Sequence, residues 1–394
     1  MNRQWEKLYR EYVETKGEKD LIKFIENRYR SGGLIQKLVE KIRNLSIRLS
    51  SIREEILIMN FCGTHEHTIT YFGLRFLMPE NIKLIAGPGC PVCITPASDI
   101  DTMVALALDG IRIFTYGDVY RVKGSKMSLH DARSEGGDIR IVYGFLDAIR
   151  IARKSEKRSI FFGIGFETTV PTVASLIVRE NIPKGLLVYS SFHLTPPAMR
   201  YVLEDPDVCL SGVIAPGHVS TIIGAKSWKF VAEEFRIPVV VAGFEPLDVI
   251  IAVYEILKQI LNNDAKLVNE YSRVVTYDGN LIAQKYIEEV FVKTTGEWRG
   301  LGELPESVYA FKDKFNWIDA KREFEIRKTD YQYLAGCKCK EITIGKAYPT
   351  DCPFFMRKCT PSNPLGPCMV SIEGTCSIWA RYGGDIWRKL RGIV

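Results

Sequence analysis

Eight short apolar runs between about residues 55 and 245 constrain this chain more than anything else in it. They read EILIMNF, IKLIAG, IRIFTYG, IRIVYG, SIFFGIG, GLLVYS, GVIAPG and IPVVVAG, and most end at glycine or run into a polar or proline-rich turn. Helical patterns such as ASDIDTMVALAL (97–108) and PTVASLIVRE (171–180) lie between several of them. Short buried strands alternating with helices argue for parallel β-strands joined by crossover helices. At 394 residues and 46% hydrophobic content, the chain can bury more than one such core. The expected fold class is α/β: two Rossmann-like parallel-sheet lobes around a cleft, plus a small irregular C-terminal domain.

The division expected along the chain is a helical lead-in over 1–50, one α/β lobe over 51–155, a second over 156–330, and the C-terminal unit over 331–394. The lead-in rests on LIKFIENRYR and LIQKLVEKIRNL, separated by an Arg-Ser-Gly-Gly break at 30–33. Residues 246–330 read as mostly helical, with a polar break at 262–264 and a loop through TTGEWRGLGELPES (294–307). The net charge of +6 is modest for this length and does not point to nucleic acid. The apolar stretch 237–254 is broken by Glu245, Pro246 and Asp248, which argues against a membrane span, and the first twenty residues have no signal-peptide core. The expectation is a soluble, cytoplasmic chain.

In parallel sheets, ligands collect beyond the carboxyl ends of the strands. Five such ends here carry chemistry: FCGTHEHT (61–68), GPGCPVC (87–93), GFETT (165–169), FHLTPPA (192–198) and PGHVS (216–220). Together they suggest a common cleft lined by thiols, imidazoles and a carboxylate. Neither G-x-G-x-x-G nor G-x-x-x-x-G-K-[ST] occurs, so a bound nucleotide is not supported.

Cysteine placement is uneven. Of ten cysteines, six (Cys337, Cys339, Cys352, Cys359, Cys368 and Cys376) crowd into 40 residues where periodicity fades. In a reducing compartment such cysteines are metal ligands or redox groups rather than staples. Zinc knuckles use paired C-x2–4-C spacings, which this segment lacks, so an iron–sulfur cluster is favoured over zinc or disulfides.

Each remaining motif has a plain reading beside the chemical one. Cys90 and Cys93 form a C-x-x-C that suits a redox pair, although half of a zinc site has the same spacing; Thr95 or Ser98 could cap the helix that follows. Cys62 and His65 share a helix face at i, i+3, with His67 nearby, yet single histidines are most often satisfied polar residues. Glu167 either acts in the cleft or caps the next helix. His193 and His218 sit in proline-rich turns, where each alone could be structural. Cys209, in DPDVCLSG, reads as a buried, inert thiol.

In this order, FCGTHEHT, GPGCPVC, GFETT with Pro171, PGHVS and the C-terminal cysteines resemble the HypD family of [NiFe]-hydrogenase maturation factors, from about residue 55 to 380. The family spacing C-x14-C-x6-C-x16-C is met by Cys337, Cys352, Cys359 and Cys376. The resemblance implies that these four hold a [4Fe-4S] cluster, with Cys339 and Cys368 as a redox pair beside it. It further implies an assembly scaffold with redox activity rather than an enzyme of ordinary turnover. On it, with the small partner HypC and with cyanide delivered by HypE, an Fe(II) ion would acquire two cyanides and one carbon monoxide before passing to the hydrogenase large subunit. Cys62 would be the transient iron ligand on this chain, supported by His65, with Cys90 and Cys93 as a redox pair. Glu167 and His218 would orient ligands or hydrogen-bond to cyanide nitrogen. The rival reading is a cluster-dependent thiol–disulfide oxidoreductase acting on a protein partner.

Overall fold

A computed structural model of the chain describes residues 32–324 and 334–383. Most of the lead-in reading, residues 1–31, and the chain end beyond 383 lie outside the described residues. The described part of the lead-in is the helix Gly32–Leu49.

All eight apolar runs form strands: β1 (Ile56–Asn60), β2 (Ile82–Ala86), β3 (Arg112–Thr115), β4 (Ile139–Ile141), β5 (Ser159–Gly165), β6 (Leu186–Phe192), β7 (Gly212–Pro216) and β8 (Val239–Ala242). They build two parallel sheets. One runs β2-β1-β7-β8 and gains a short edge strand, β9 (Leu267–Asn269); the other runs β4-β3-β5-β6. The architecture is mixed α/β with two parallel, Rossmann-like sheets.

The chain forms two compact units that cut it differently from the expected contiguous lobes 51–155 and 156–330. The first joins the described residues up to Ala86 with Pro206–Asn280; the second joins Gly87–Asp205 with those from Leu281 onward. The cause is strand pairing. β7 lies beside β1 in register Ile58↔Gly212 and Asn60↔Ile214, so the chain leaves the first sheet after β2 and returns to it more than a hundred residues later. A contiguous reading of the runs has no access to that return.

In the first unit the helix Gly32–Leu49 buries Val39, Ile42 and Leu49, spaced for one helical face, in a core with Val249, Val253, Ile256 and Leu257 of the helix Pro246–Asn262. At the carboxyl ends of β7 and β8 the packing is tight enough to demand glycine. A Cβ at Gly217 would lie 2.4 Å from the Ala242 carbonyl oxygen and 2.9 Å from the Tyr271 ring. Gly217→Ala is therefore expected to destabilise the chain by about 1–3 kcal/mol, read as a lower urea midpoint at unchanged slope.

The second unit corrects two expectations. The segment read as a loop over 294–307 is an antiparallel hairpin of β10 (Phe291–Trp298) and β11 (Gly302–Phe311), with a bulge between Thr294 and Gly296. Its first strand is exposed from Val292 to Thr295 and closes on the buried Trp298, so it lacks the continuous apolar signature of the parallel strands. The hairpin docks on the end of β6, where the Leu194 N–H donates to the Ser307 carbonyl at 2.8 Å. The cysteine-rich segment, read as its own domain over 331–394, shares one apolar core with β3, β5 and β6: Cys339, Cys352, Cys359, Cys368 and Cys376 are buried with Ile113, Ile160, Phe162 and Leu187. Too short to enclose a core of its own, it borrows one.

Candidate functional site

The two units each carry part of the chemistry singled out in the sequence. FCGTHEHT and PGHVS belong to the first; GPGCPVC, GFETT and FHLTPPA belong to the second.

In the first unit, β1 ends at Asn60, and two residues on, Cys62 is the N-cap of the helix Gly63–Tyr71. Its backbone is extended there and its sulfur makes no capping bond. Cys62 is half-buried and is not in a disulfide. A thiol at the start of a helix lies where the aligned peptide dipoles favour thiolate. One turn on, His65 is fully buried. Its Nε2 lies 2.9 Å from the Gly243 carbonyl and 3.2 Å from that of Ala242, which makes Nε2 the protonated nitrogen. Nδ1 is buried with no hydrogen-bond partner among the described residues, so its lone pair is unused. Burial holds the His65 pKa down at about 4, although both carbonyls pull the other way.

Phe244, at the end of β8, is held between two imidazoles. His65 stacks on it at a centroid distance of 4.7 Å and His218, from PGHVS, at 3.8 Å. Burial also lowers the His218 pKa. The segment carrying Phe244 is pinned by a buried charge cluster: Glu270 accepts the Gly243 N–H at 3.1 Å, and Arg273 pairs with both Glu270 and the fully buried Asp248. Glu66, on the helix that carries His65, is buried beneath it. It accepts two bonds from Arg75, at 2.8 and 2.7 Å, and one from Asn60 at 3.0 Å. His67 turns away from this arrangement and stacks on Tyr71.

A pH experiment follows from the His65 environment. Its pKa is lower folded than unfolded, so the unfolded chain binds more protons between about pH 4 and 6.5; stability is present above that window and is lost as pH falls through it. Relative to a His65→Gln variant, the wild type is expected to lose about 2 kcal/mol between pH 7 and pH 5. Urea unfolding of both chains at the two pH values checks this.

In the second unit Cys90 and Cys93 are joined by a disulfide with a Cα–Cα distance of 5.3 Å, and both are buried. Cys90 caps the turn Pro91–Ile94, accepting the Cys93 N–H on its sulfur. The next helix, Ala97–Leu108, is entered from Pro96 without a side-chain cap; Thr95 bonds back to Pro91, and Ser98 reaches Glu297 instead. Glu167 is buried and does cap a helix, though not the next one. It accepts the Thr195 N–H at 2.8 Å and the Thr195 hydroxyl, at the start of Thr195–Glu204. Burial raises its pKa to about 7, against the pull of those bonds. His193 is wedged between the carbonyls of Ser191 and Glu297, each at 3.0 Å, and ties β6 to the hairpin. Cys209 is not buried as expected: it is exposed, in the turn leading to β7.

The six C-terminal cysteines all join the core of the second unit, five of them buried and Cys337 packed against it. Among the described residues no group of three or more His, Cys, Asp or Glu side chains is arranged to hold a single metal ion. The donor set suits a thiolate-bound cluster. It is all sulfur, in an apolar surround, with backbone N–H groups aimed at it: Leu365 donates to Cys359 Sγ at 3.4 Å and Cys376 to Cys368 Sγ at 3.2 Å. Gly366 leaves the space beside two of these sulfurs open, since a Cβ there would sit 2.5 Å from Cys339 Sγ and 4.0 Å from Cys337 Sγ. Cys337 has its pKa lowered to about 6, mainly by a hydrogen bond from the Cys339 thiol, and Cys339 is raised in return.

Several residues of these sites went unread in the sequence: Glu66, Arg75, Phe244, Glu270, Arg273 and Trp298. One signal was available. Gly-Phe-Glu occurs at two strand ends, at 165–167 and 243–245, and only the first was singled out.

A parallel α/β protein with an N-cap thiol one turn from a buried imidazole, a C-x-x-C disulfide and a buried thiol cluster has the equipment of a thiol-based metal-handling or redox protein. A family model described as HypD, "Hydrogenase formation hypA family", matches residues 33–383. The chain is 44% identical over 352 residues to a putative hydrogenase expression/formation protein of Methanocaldococcus jannaschii, covering 89% of this chain and 97% of that one. It is 42% identical to the hydrogenase maturation factor HypD of Rhizobium leguminosarum, covering 92% and 96% of the two chains. It is 40% identical to HypD of Escherichia coli, covering 90% and 96%. The chain belongs to the HypD family of hydrogenase maturation factors. Among the described residues no helix is long and apolar enough to cross a membrane.

Proposed function

We propose that the chain serves hydrogenase maturation as the scaffold on which an Fe(II) ion receives two cyanides and one carbon monoxide, in complex with HypC and with cyanide supplied through HypE. The observation that carries this is the surround of Cys62: a half-buried thiol at a helix start, one turn from a neutral, fully buried imidazole with an unused Nδ1. Iron is the cargo, and Cys62 supplies its thiolate on this chain. His65, uncharged at neutral pH, keeps positive charge away from an iron that is being loaded with anions. Its Nδ1 lone pair accepts a hydrogen bond from iron-bound water or from a partner group. The stack on Phe244 and the Glu270–Gly243 bond keep that ring in place, and His218 offers an imidazole to a cyanide nitrogen.

Cys90 and Cys93 store reducing equivalents. Opening their disulfide consumes two electrons and two protons and gives two thiols; closing it returns them. A [4Fe-4S] cluster held by Cys337, Cys352, Cys359 and Cys376 would supply electrons one at a time. Cys339 and Cys368 are the two further thiols in the same core and would exchange electrons with the cluster by thiol–disulfide chemistry. Glu167 holds the start of Thr195–Glu204 and, with its raised pKa, can carry a proton near neutrality.

Infrared spectroscopy of the anaerobically purified complex with HypC tests the reading. Bands of metal-bound cyanide and carbon monoxide are expected. Their absence, with disulfide reduction of a protein partner intact, would favour the oxidoreductase, a reading that the Cys90–Cys93 disulfide also supports. Iron and acid-labile sulfide near four each per chain test the cluster.

A further inference from the structure

The second unit holds a cavity of about 260 Å³ that none of the roles above uses. It opens beyond the carboxyl end of β6, the position where parallel sheets place ligands, between that end, the start of the helix Ala97–Leu108 and the β10–β11 hairpin. At ~30 Å³ per water it is far larger than a bridging water needs.

Three carboxylates line it, from Asp99, Glu297 and Asp319, against one lining ammonium, from Lys321. Glu297 accepts the Ser98 hydroxyl at 3.2 Å, and Asp319 accepts the Lys321 N–H at 3.0 Å and lies 4.0 Å from the Arg322 guanidinium, so each keeps acceptor capacity for a further donor. Asp99 is buried and is oriented by the Tyr189 hydroxyl, which donates to its Oδ1 at 2.7 Å. Lys321 forms no ion pair among the described residues; its ammonium lies 4.7 Å over the face of the Tyr189 ring. The decisive atom is Ser191 Oγ. Ser191 is 2% exposed and lines the cavity, and its hydroxyl is buried without a hydrogen-bond partner among the described residues. A buried hydroxyl left unpaired is unfavourable, and a ligand group that bonds to it relieves that cost. The wall is braced, because His193 links the Ser191 and Glu297 carbonyls across β6 and the hairpin.

We propose that this cavity binds a small organic cation, a compound whose protonated amine or guanidinium group donates hydrogen bonds to Asp99, Asp319 and Ser191. The acceptor excess selects a donor, and the charge imbalance selects a cation over an anion. Lys321, on the same wall, is placed to receive an anionic tail if the ligand has one. The proposal is independent of iron, cluster and disulfide, so it stands or falls apart from the maturation reading.

Titration calorimetry on the full chain tests it, with agmatine as a plain cation, L-arginine as a cation bearing a carboxylate, and acetate as an anion. Agmatine is expected to bind with a dissociation constant of ~1 mM or tighter. Asp319→Asn and Asp99→Asn are each expected to weaken it about tenfold or more, and Asp319→Asn decides if Asp99→Asn fails to fold. Arginine binding that is weakened by Lys321→Gln also supports the site, with the tail placed against Lys321. The proposal is overturned if neither cation binds, if acetate binds in their place, or if agmatine affinity is unchanged in a folded Asp319→Asn chain.

Discussion

On the proposed scaffold reading, a Cys62→Ala chain co-purified with HypC is expected to lose the infrared bands of iron-bound cyanide and carbon monoxide and to leave the hydrogenase unprocessed. Losing an outer partner of a metal ligand already costs about 10–100-fold, so losing the ligand itself should cost ~100-fold or more in loaded iron. The fold should survive. Cys62 sits at a helix cap without a side-chain capping bond and only half-buried, so its truncation belongs with substitutions that cost about 1 kcal/mol or less. The six C-terminal cysteines lie in a different part of the chain, so the visible absorption of the proposed cluster there should be unchanged. Persistent bands in the variant would remove Cys62 from the set of required ligands.

The largest effect on stability is expected at Arg75, which no motif includes. Glu66 is 1% exposed, and Arg75 gives it two charge-assisted bonds. Arg75 also donates to Thr70 and to the Leu84 carbonyl, tying the helix Gly63–Tyr71 to β2. Arg75→Met leaves a buried carboxylate without the guanidinium, though still bonded to the Asn60 amide and the Thr70 hydroxyl. Breaking a buried pair from one side costs about 3–5 kcal/mol, because the remaining charge has lost its partner. The double variant Glu66→Gln/Arg75→Met should recover at least half of that loss, since the uncompensated charge is gone; urea unfolding of the four chains gives the coupling directly. A loss under about 1 kcal/mol in Arg75→Met would show that Glu66 takes up a proton or finds water, and that the pair is not what holds this helix.

The residues that carry chemistry were more legible than the arrangement that holds them. The C-x-x-C pair declared itself because a disulfide across two intervening residues is a local event, fixed by a proline-framed turn. The six C-terminal cysteines were visible as a crowd, yet their packing was not: a segment with too little apolar surface for its own core read as a separate domain, whereas it shares the core of β3, β5 and β6. In the sequence Glu167 fits either a role in the cleft or a cap on the next helix, whereas it caps a helix that begins 28 residues further on. The β10–β11 hairpin carries no continuous apolar signature, because its first strand is exposed over four consecutive positions and its value lies in covering the end of β6, which is a long-range fact.

By itself the sequence determined the strands and their chemistry-bearing ends. Eight apolar runs became eight strands, because burial on both faces leaves a continuous apolar signature that needs no partner to be read. Only the tertiary structure decided which strands are neighbours, and therefore what surrounds each end. β7 returns to β1 and brings His218 to Phe244 and His65; β6 meets the hairpin and closes an acidic cavity around Ser191. Hydrogen bonding between distant strands is set by how whole faces pack, and no single stretch of residues contains that information.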